Sequence, residues 1–216
     1  MYIGNVEIHS KLYLAPMAGV TDLAFRQICR ELGAGMSCTE LVSAKALCYQ
    51  DKKSRGLLKL APNEKPAAAQ IFGSDIPCMA EAAVIAAEVS GADIIDINMG
   101  CPAPKITGSG AGSRLLLDPP LCGQMVAAAR KALGDDTPLT VKMRIGWDAD
   151  HLTGVEVAKQ LEANGADLIA VHGRTREQMY IPPIDVDAIT EIRKAVGIPV
   201  LANGDITTAE DAKQIL

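Results

Sequence analysis

The feature that most constrains the fold of this 216-residue chain is a repeated unit, in which a short apolar run precedes a helical pattern. The runs recur at nearly even spacing, and only the interval between positions 93 and 139 leaves room for a long loop. Apolar residues on both faces of a run are typical of parallel strands buried between two layers. The predicted strands are Lys11–Ala15, Met36–Leu41, Ala67–Phe72, Asp93–Asn98, Leu139–Arg144, Leu168–His172 and Ile198–Ala202.

The segments between the runs carry the signals of helices. Asp118-Pro119 and Asp185 each predict a helix start, and Thr207 with Glu210 predicts a capping box before the last helix. No linker or low-complexity tract interrupts the pattern, so residues 1–216 are expected to form a single domain. Three apolar stripes are expected to face the core: Phe25, Ile28 and Leu32; Val126, Ala129 and Leu133; and Ile189, Ile192 and Val196.

Composition and charge exclude several classes of protein. The net charge of −5 lacks the basic footprint of an independent nucleic-acid binder, so any contact with RNA has to be local. No apolar run approaches the roughly 20 residues of a membrane span, and residues 1–10 do not resemble a signal peptide, which predicts a cytoplasmic protein. The six cysteines form no C-x-x-C pair and are expected to be reduced, most of them as small core residues.

The position of the polar residues distinguishes two α/β architectures. Consecutive βα units with short loops form a right-handed parallel array, which is either an open sheet or a closed barrel. Only a barrel brings the carboxyl end of every strand to one mouth, and here polar or special residues follow strands all along the chain. The sequence therefore predicts a TIM (β/α)8-type barrel truncated after about seven strands. The residues concerned are Pro16, Met17, Glu40, Gln70, Asn98 to Cys101, Lys142, His172 and Asn203 to Asp205.

Six motifs carry a more specific signal. The sharpest is Asp96-Ile97-Asn98-Met99-Gly100-Cys101-Pro102, an apolar strand that ends in a Gly-Cys-Pro turn. Five more accompany it in order along the chain: Leu14-Ala15-Pro16-Met17-Ala18-Gly19-Val20-Thr21-Asp22, Gln70-Ile71-Phe72-Gly73, Val141-Lys142-Met143-Arg144, Val171-His172-Gly173-Arg174-Thr175 and Asn203-Gly204-Asp205. With these motifs the chain resembles the tRNA-dihydrouridine synthases, most nearly the bacterial B-type branch. The resemblance runs from about Ile8 to the end.

The resemblance implies a flavin enzyme and no metal. The resemblance implies an FMN-dependent TIM barrel that reduces the C5–C6 double bond of particular uridines in tRNA. The implied reductant is NADPH, or NAD(P)H more generally. Hydride transfer to C6 leaves an enolate whose C5 needs a proton, so an acid has to be positioned there. By the resemblance that acid is Cys101, and a thiol, which is mostly protonated near neutrality, suits proton donation.

The resemblance also implies cofactor and substrate contacts. Lys142 is implied at the flavin N1/O2 edge, where negative charge collects on reduction, and Gln70 at the pyrimidine edge. Asn98 matches the position that hydrogen-bonds the uracil edge. Each has a structural alternative, such as a surface lysine or a strand-ending cap. The other implied FMN contacts are Pro16, Met17 and Ala18 along the ring, and His172, Asn203, Gly204 and Asp205 near the phosphate.

Basic residues near the predicted mouth are candidates for tRNA phosphates. Arg174 and Arg176 fit either FMN or RNA and are left unassigned. The loop Ile181-Pro182-Pro183-Ile184 departs from the family's usual glycine and small residue, and proline cannot donate a backbone N–H, which leaves the geometry over the mouth open. The candidates are Lys105 and Arg114 after Cys101, and Lys52, Lys53 and Arg55 after the second strand, where a solvated loop fits equally well.

The chain stops at Leu216, before the family's eighth strand, Gly-Arg phosphate loop and C-terminal helical RNA-binding domain. Open strand edges predict self-association and little retained FMN. Three interpretations stay open. The first is an FMN-dependent oxidoreductase acting on tRNA uridine, and the second is an inactive, flavin-poor fragment of such an enzyme. The third is another FMN barrel acting on a free pyrimidine, similar to a dihydroorotate dehydrogenase.

Overall fold

The strands form one curled parallel sheet and one small hairpin in the computed structural model, which describes residues 1–216. β1 (Tyr2–Ile3) and β2 (Val6–Glu7) form the antiparallel hairpin. The sheet order follows the chain, so every crossover runs the same way round and the sheet curls as part of an α/β barrel. Its strands are β3 (Ser37–Cys38) and β4 (Val42–Ser43), which both pair with β5 (Ala67–Phe72), then β6 (Ile94–Met99), β7 (Leu139–Gly146), β8 (Leu168–Thr175) and β9 (Val200–Asn203).

Helices connect the strands and pack on the outer face of the sheet. None of them combines the length and the apolar character that a membrane crossing needs. They are α1 (Leu23–Glu31), α2 (Ala44–Cys48), α3 (Lys52–Leu57), α4 (Ile76–Ser90), α5 (Pro104–Thr107), a 3-10 helix (Gly112–Leu117), α6 (Pro119–Leu133), α7 (Gly154–Ala163), α8 (Val186–Ala195) and α9 (Ala209–Ile215).

Successive strand residues alternate between two cores. Ala69 and Ile95 belong to an outer core of 32 buried residues shared with the helices. Their neighbours Ala68 and Ile94 belong to an inner core of eight, which also contains Ile3 of the hairpin. The hairpin therefore closes the interior at the amino ends of the strands. The inward positions further along each strand are left for polar residues at the carboxyl ends.

Five of the seven predicted strands are confirmed with small shifts of their ends, and the first two are corrected. The run Lys11–Ala15 is not a strand, because it makes only one bridge, from Tyr13 to Met36. The second run is broken between β3 and β4, where the Thr39 hydroxyl accepts the Gln70 backbone N–H at 3.0 Å. A side-chain hydroxyl thus accepts the hydrogen bond that a backbone carbonyl accepts elsewhere in the sheet, and the regular pairing with β5 is interrupted at this point.

The helix starts at Asp118 and Asp185 are confirmed, since both side chains cap a backbone N–H. The last capping box lies one residue later than predicted, on Thr208 and Asp211. The α6 and α8 stripes pack in the core or against it. The α1 stripe was wrongly placed there: Phe25, Ile28 and Leu32 are 39%, 54% and 82% exposed.

Helix α1 instead buries an arginine. The Arg26 side chain is 2% exposed, and its Nε donates to Glu64 Oε1 at 2.5 Å. Its other nitrogens donate to the carbonyls of Thr21 and Lys59. Glu64 also accepts from the Ser37 hydroxyl, so both charges are fully hydrogen-bonded. This pair, rather than an apolar stripe, fixes α1 against the sheet.

All six cysteines are free thiols, and four of them, Cys38, Cys48, Cys78 and Cys122, lie in the core or pack against it, as predicted. Only Cys38 and Cys122 are fully buried. The Cys48 and Cys78 sulfurs lie 3.0 Å apart between α2 and α4. Burial, followed by the Cys78 contact, raises the pKa of Cys48 to about 12, so this thiol is protonated at neutral pH.

Candidate active site

Polar side chains occupy the inward positions at the carboxyl ends of the central strands. The sheet register places Gln70 beside Asp96 on β5 and β6. It places Asn98 beside Lys142 on β6 and β7. His172 of β8 stands level with Asn203 of β9. Because these pairs share the face of the inner core, the predicted residues of five strands, β5 to β9, converge on one mouth.

A directional chain of hydrogen bonds runs through this mouth. The backbone N–H groups of Gly100 and Cys101 donate to Asn98 Oδ1 at 3.1 and 2.8 Å. The Asn98 amide donates to Gln70 Oε1 at 2.9 Å, and the Gln70 amide donates to Asp96 Oδ2 at 2.7 Å. Each amide is thereby oriented by the next, and Asp96, an acceptor when ionised, ends the chain. The Cys101 turn is thus connected, through Gln70 of β5, to a carboxylate buried deeper on its own strand β6.

Asp96 is buried and is the final hydrogen-bond acceptor of this network. Burial raises the pKa of Asp96, while hydrogen bonds from Gln70 and from Thr140, at 2.5 Å, oppose the rise. In the sequence Asp96 stood out only as part of a motif and had no predicted role. Its inward position, two residues before Asn98, was the available signal.

Replacing Asp96 with leucine should leave the Gln70 amide and the Thr140 hydroxyl without their acceptor. We expect a loss of about 1–3 kcal/mol of unfolding free energy for each unsatisfied donor, measured by urea denaturation. The matched control is Asp96→Asn, whose carbonyl can still accept from Gln70 while its amide donates to Thr140. Equal losses in the two variants would contradict this role of the carboxylate.

Lys142 is a cation without an ionic partner. Its Nζ donates to Asn203 Oδ1 at 2.8 Å and makes no ion pair. Burial lowers the pKa of Lys142 to about 8, and the opposing attraction of Asp96 is too weak to offset it. A desolvated cation of this kind favours a ligand that brings negative charge to it.

The residues predicted to lie near the FMN phosphate surround Arg174. This guanidinium contacts His172 Nε2 at 3.1 Å and donates to Asp205 Oδ1 at 2.5 Å. Burial first, then the positive charges of Arg144, Lys142 and Arg174, lowers the pKa of His172 to about 3, so its ring is neutral. A carboxylate cannot donate to a phosphate, so Asp205 can contact one only through its backbone N–H. The phosphate role of Asn203, Gly204 and Asp205 stays a prediction.

Arg144 is a further residue that the sequence analysis missed. Its buried guanidinium donates to the carbonyls of Gly100, at 3.0 Å, and of Thr175 and Met179, both at 2.8 Å. It lies 5.6 Å from the centre of the Tyr180 ring. Burial lowers the pKa of Arg144 to about 10. The position two residues after Lys142, on the same face of β7, was the signal that could have found it.

The other side of the Cys101 turn is held by the loop that follows. Ser113 donates to the Cys101 carbonyl through its backbone N–H and its hydroxyl, both at 3.0 Å. A Cβ at Gly112, where φ is +60°, would lie 2.7 Å from that carbonyl, which excludes any other residue there. Cys101 itself is partly exposed. The thiol is therefore presented on a turn that is fixed from both sides.

The remaining predicted residues lie at the rim. Pro16, Met17 and Ala18 form a partly exposed loop, which the Gly19 N–H joins to Glu40 at 2.5 Å. Lys52 and Lys53 are exposed on α3, away from any ion pair. No group of three or more His, Cys, Asp or Glu side chains is placed to bind a metal.

A family model described as dihydrouridine synthase (Dus) matches residues 13–216, nearly the whole chain. The chain belongs to the dihydrouridine synthase family. Curated relatives include tRNA-dihydrouridine synthase B of Pseudomonas syringae pv. tomato, 46% identical over 99% of this chain and 63% of the relative. The tRNA-dihydrouridine synthase B of Vibrio parahaemolyticus is 43% identical over 100% of this chain and 66% of that protein. The predicted family is confirmed, and the chain spans about two thirds of these dihydrouridine synthases.

Solved structures agree on the fold of this chain. A 2-naphthoyl-CoA reductase complex superposes with a TM-score of 0.70 at 12% identity, covering 99% of this chain and 47% of that one. A 6-hydroxypseudooxynicotine amine oxidase from Pseudomonas geniculata gives 0.69 at 16% identity, covering 100% and 44%. At such low identity the likeness concerns the fold alone, and it confirms the predicted truncated α/β barrel.

The mouth has the chemistry that a flavin needs. Lys142 offers a cation without an ionic partner, and Gln70 offers an amide whose orientation Asp96 fixes. A cavity of about 510 Å³ reaches Lys142 and Asn203, and most of its lining comes from the 11–15 run, α8, β9 and α9. This volume lies in the range of about 300–1,000 Å³ usual for cofactor and ligand sites. Lys142 and Gln70 are therefore side chains whose chemistry fits a flavin.

Proposed function

We propose that residues 1–216 are the FMN-binding catalytic barrel of a cytoplasmic tRNA-dihydrouridine synthase, which reduces uridine in tRNA with NADPH as reductant. The observation that carries the proposal is the hydrogen-bonded chain from Asp96 to the Cys101 turn, beside the unpaired Lys142. Family membership supplies the substrate class. In this proposal Gln70, Lys142 and the rim loop Pro16–Ala18 hold FMN, and His172 and Asn203–Asp205 lie toward its phosphate.

Each residue has a distinct task in the reaction. When bound, the reduced flavin supplies the hydride for uracil C6. Cys101 then donates its proton to C5, which completes the saturated bond. Asn98 directs its carbonyl to the Cys101 turn and one amide hydrogen to Gln70, so its second amide hydrogen is the donor left for the uracil edge. Arg144 fixes the Gly100 carbonyl and so holds the turn in place.

Lys142→Met should weaken FMN binding or lower the reduction potential of bound FMN, because the anionic reduced form loses its nearby cation. Lys142→Arg keeps the charge and is the matched control. Since the pKa of Lys142 is about 8, the ammonium is present below that pH and is lost as pH rises through it. The difference between wild type and Lys142→Met should therefore shrink above pH 8. Identical affinity and potential in the two proteins would reassign Lys142 to substrate or structure.

The function is tested by supplying the purified chain with FMN, NADPH and an unmodified tRNA transcript, and by measuring dihydrouridine in the RNA. Dihydrouridine formation supports the proposal. Flavin binding with turnover of dihydroorotate and none of tRNA would favour the free-pyrimidine alternative. Failure to bind flavin at all would identify an inactive barrel and overturn the proposal for this chain.

A further inference from the structure

Two arginines share one tryptophan outside the mouth. The guanidinium carbons of Arg114 and Arg176 lie 5.1 and 4.8 Å from the centre of the Trp147 ring. Both distances fall within the roughly 6 Å over which a cation is attracted to an aromatic face. The three side chains line an open cavity of about 480 Å³, together with Pro104, Thr107 and Gly110.

Neither guanidinium has a protein partner for its charge. No ion pair joins Arg114 or Arg176 to a carboxylate, and no hydrogen bond leaves either guanidinium. Arg176 Nε is buried without any acceptor. The nearby carboxylate of Asp148 is held by His151 at 2.6 Å, while Glu177 is exposed to solvent. Two like charges brought to one ring are most stable when an anion lies between them.

Both arginines directly follow, along the chain, residues that hold the turn of the candidate proton donor Cys101. Arg114 follows Ser113, which donates twice to the Cys101 carbonyl. Arg176 follows Thr175, whose carbonyl accepts from Arg144, and Arg144 in turn donates to Gly100. A polynucleotide whose uracil reaches Cys101 has a phosphate close by on its backbone. Arginine matches phosphate because its planar N–H groups can donate in pairs.

We propose that Arg114 and Arg176, held on Trp147, form a clamp for an RNA phosphodiester next to the target uridine. The proposal rests on the proposed function and identifies where the RNA backbone is held. It also explains how a chain with a net charge of −5 can bind RNA, since the positive charge is concentrated at one place. Trp147 positions the two guanidiniums and excludes water from one side of each.

The experiment uses Trp147 as its reporter, because it is the only tryptophan in the chain. Wild type, Arg114→Gln, Arg176→Gln and the double variant are titrated with an unmodified tRNA transcript. Affinity is measured by anisotropy of labelled RNA, and Trp147 emission is followed in parallel. The matched control is Lys159→Gln, which removes one exposed positive charge from α7, outside the cluster. Inorganic pyrophosphate is titrated as a second probe.

We expect tRNA to change Trp147 emission in wild type, and each arginine variant to bind about tenfold more weakly while Lys159→Gln does not. Each arginine variant should also lower the slope of log affinity against log salt by about one. Unchanged affinity and slope in the double variant, or Trp147 emission that RNA does not alter, would overturn the clamp. An emission change with pyrophosphate alone would reject RNA as the source of the phosphate.

The clamp and the proposed function fail in different ways. Intact RNA binding through the clamp without dihydrouridine formation would overturn the function and leave the clamp standing. Dihydrouridine formation with equal RNA affinities in wild type and the double variant would overturn the clamp and leave the proposed function standing. Thermal unfolding of each variant, followed by circular dichroism, confirms that the compared proteins are folded.

Discussion

Cys101→Ala is expected to lower dihydrouridine formation by about 10²-fold or more, the usual contribution of a positioned acid. The cofactor and substrate contacts should survive, because the Gln70 amide for FMN and the Asn98 amide for uracil are oriented by Asp96 and by backbone N–H groups, none of which involves the Cys101 sulfur. The variant should therefore bind FMN and accept electrons from NADPH like wild type. The loss should appear only after hydride transfer, where C5 needs its proton.

Single-turnover reduction of tRNA by the pre-reduced holo-protein measures this step directly. Cys29→Ala is the matched control, since Cys29 is a partly buried thiol on α1, far along the chain from the Cys101 turn. Normal single-turnover rates in Cys101→Ala would exclude Cys101 as the proton donor. A variant that no longer binds FMN would show instead that the thiol supports the cofactor site.

Arg26→Met is expected to produce the largest loss of stability in the chain. It would leave the Glu64 carboxylate buried without its cation, and breaking a buried pair in this way costs about 3–5 kcal/mol. At about 2–4 °C per kcal/mol for a chain of this size, Tm should fall by about 6–20 °C. Lys194→Met, which removes an ion pair with both side chains mostly exposed, should change Tm very little.

The pH dependence of this loss follows from Glu64. Burial alone would raise the pKa of Glu64, but hydrogen bonds from Arg26, the Ala61 N–H and Ser37 outweigh it and lower the pKa. The stabilisation by the carboxylate is thus present above its unfolded pKa of about 4.3 and is lost as pH falls through the lower folded value. The difference between wild type and Arg26→Met should narrow in acid. A difference that stays constant down to pH 2 would contradict the ionic interpretation.

Strands and site residues were predictable where the signal is local. The central runs are apolar on both faces because each strand lies between two cores, and this pattern gave β5 to β9. The helix starts at Asp118 and Asp185 were equally local, since each side chain caps its own helix. Gln70, Asn98 and Lys142 could be named because they follow these strands.

The errors concern interactions between distant residues. The α1 stripe has helical spacing, but which face is buried was decided by Glu64, 38 residues beyond Arg26. Asp96 and Arg144 were missed for the same reason: their roles come from contacts across neighbouring strands. Lys11–Ala15 has the composition of a strand, yet its backbone makes only one bridge. Composition does not record how many neighbours a strand has.

Burial is unevenly distributed around the sheet, and this sets where the backbone can open. All six residues of β6 are buried, whereas α9 buries none and α1 buries only Arg26. Local openings that admit solvent to amide protons are therefore expected first at segments that bury no residue, such as α9 and α3, and last at β6. Asp96 and Asn98 are thus expected to exchange slowly, while Asn203 to Asp205 lie next to a segment expected to open early. The half of the mouth that carries the Cys101 turn should be the more rigid half, and the half around Asn203 should adapt more easily.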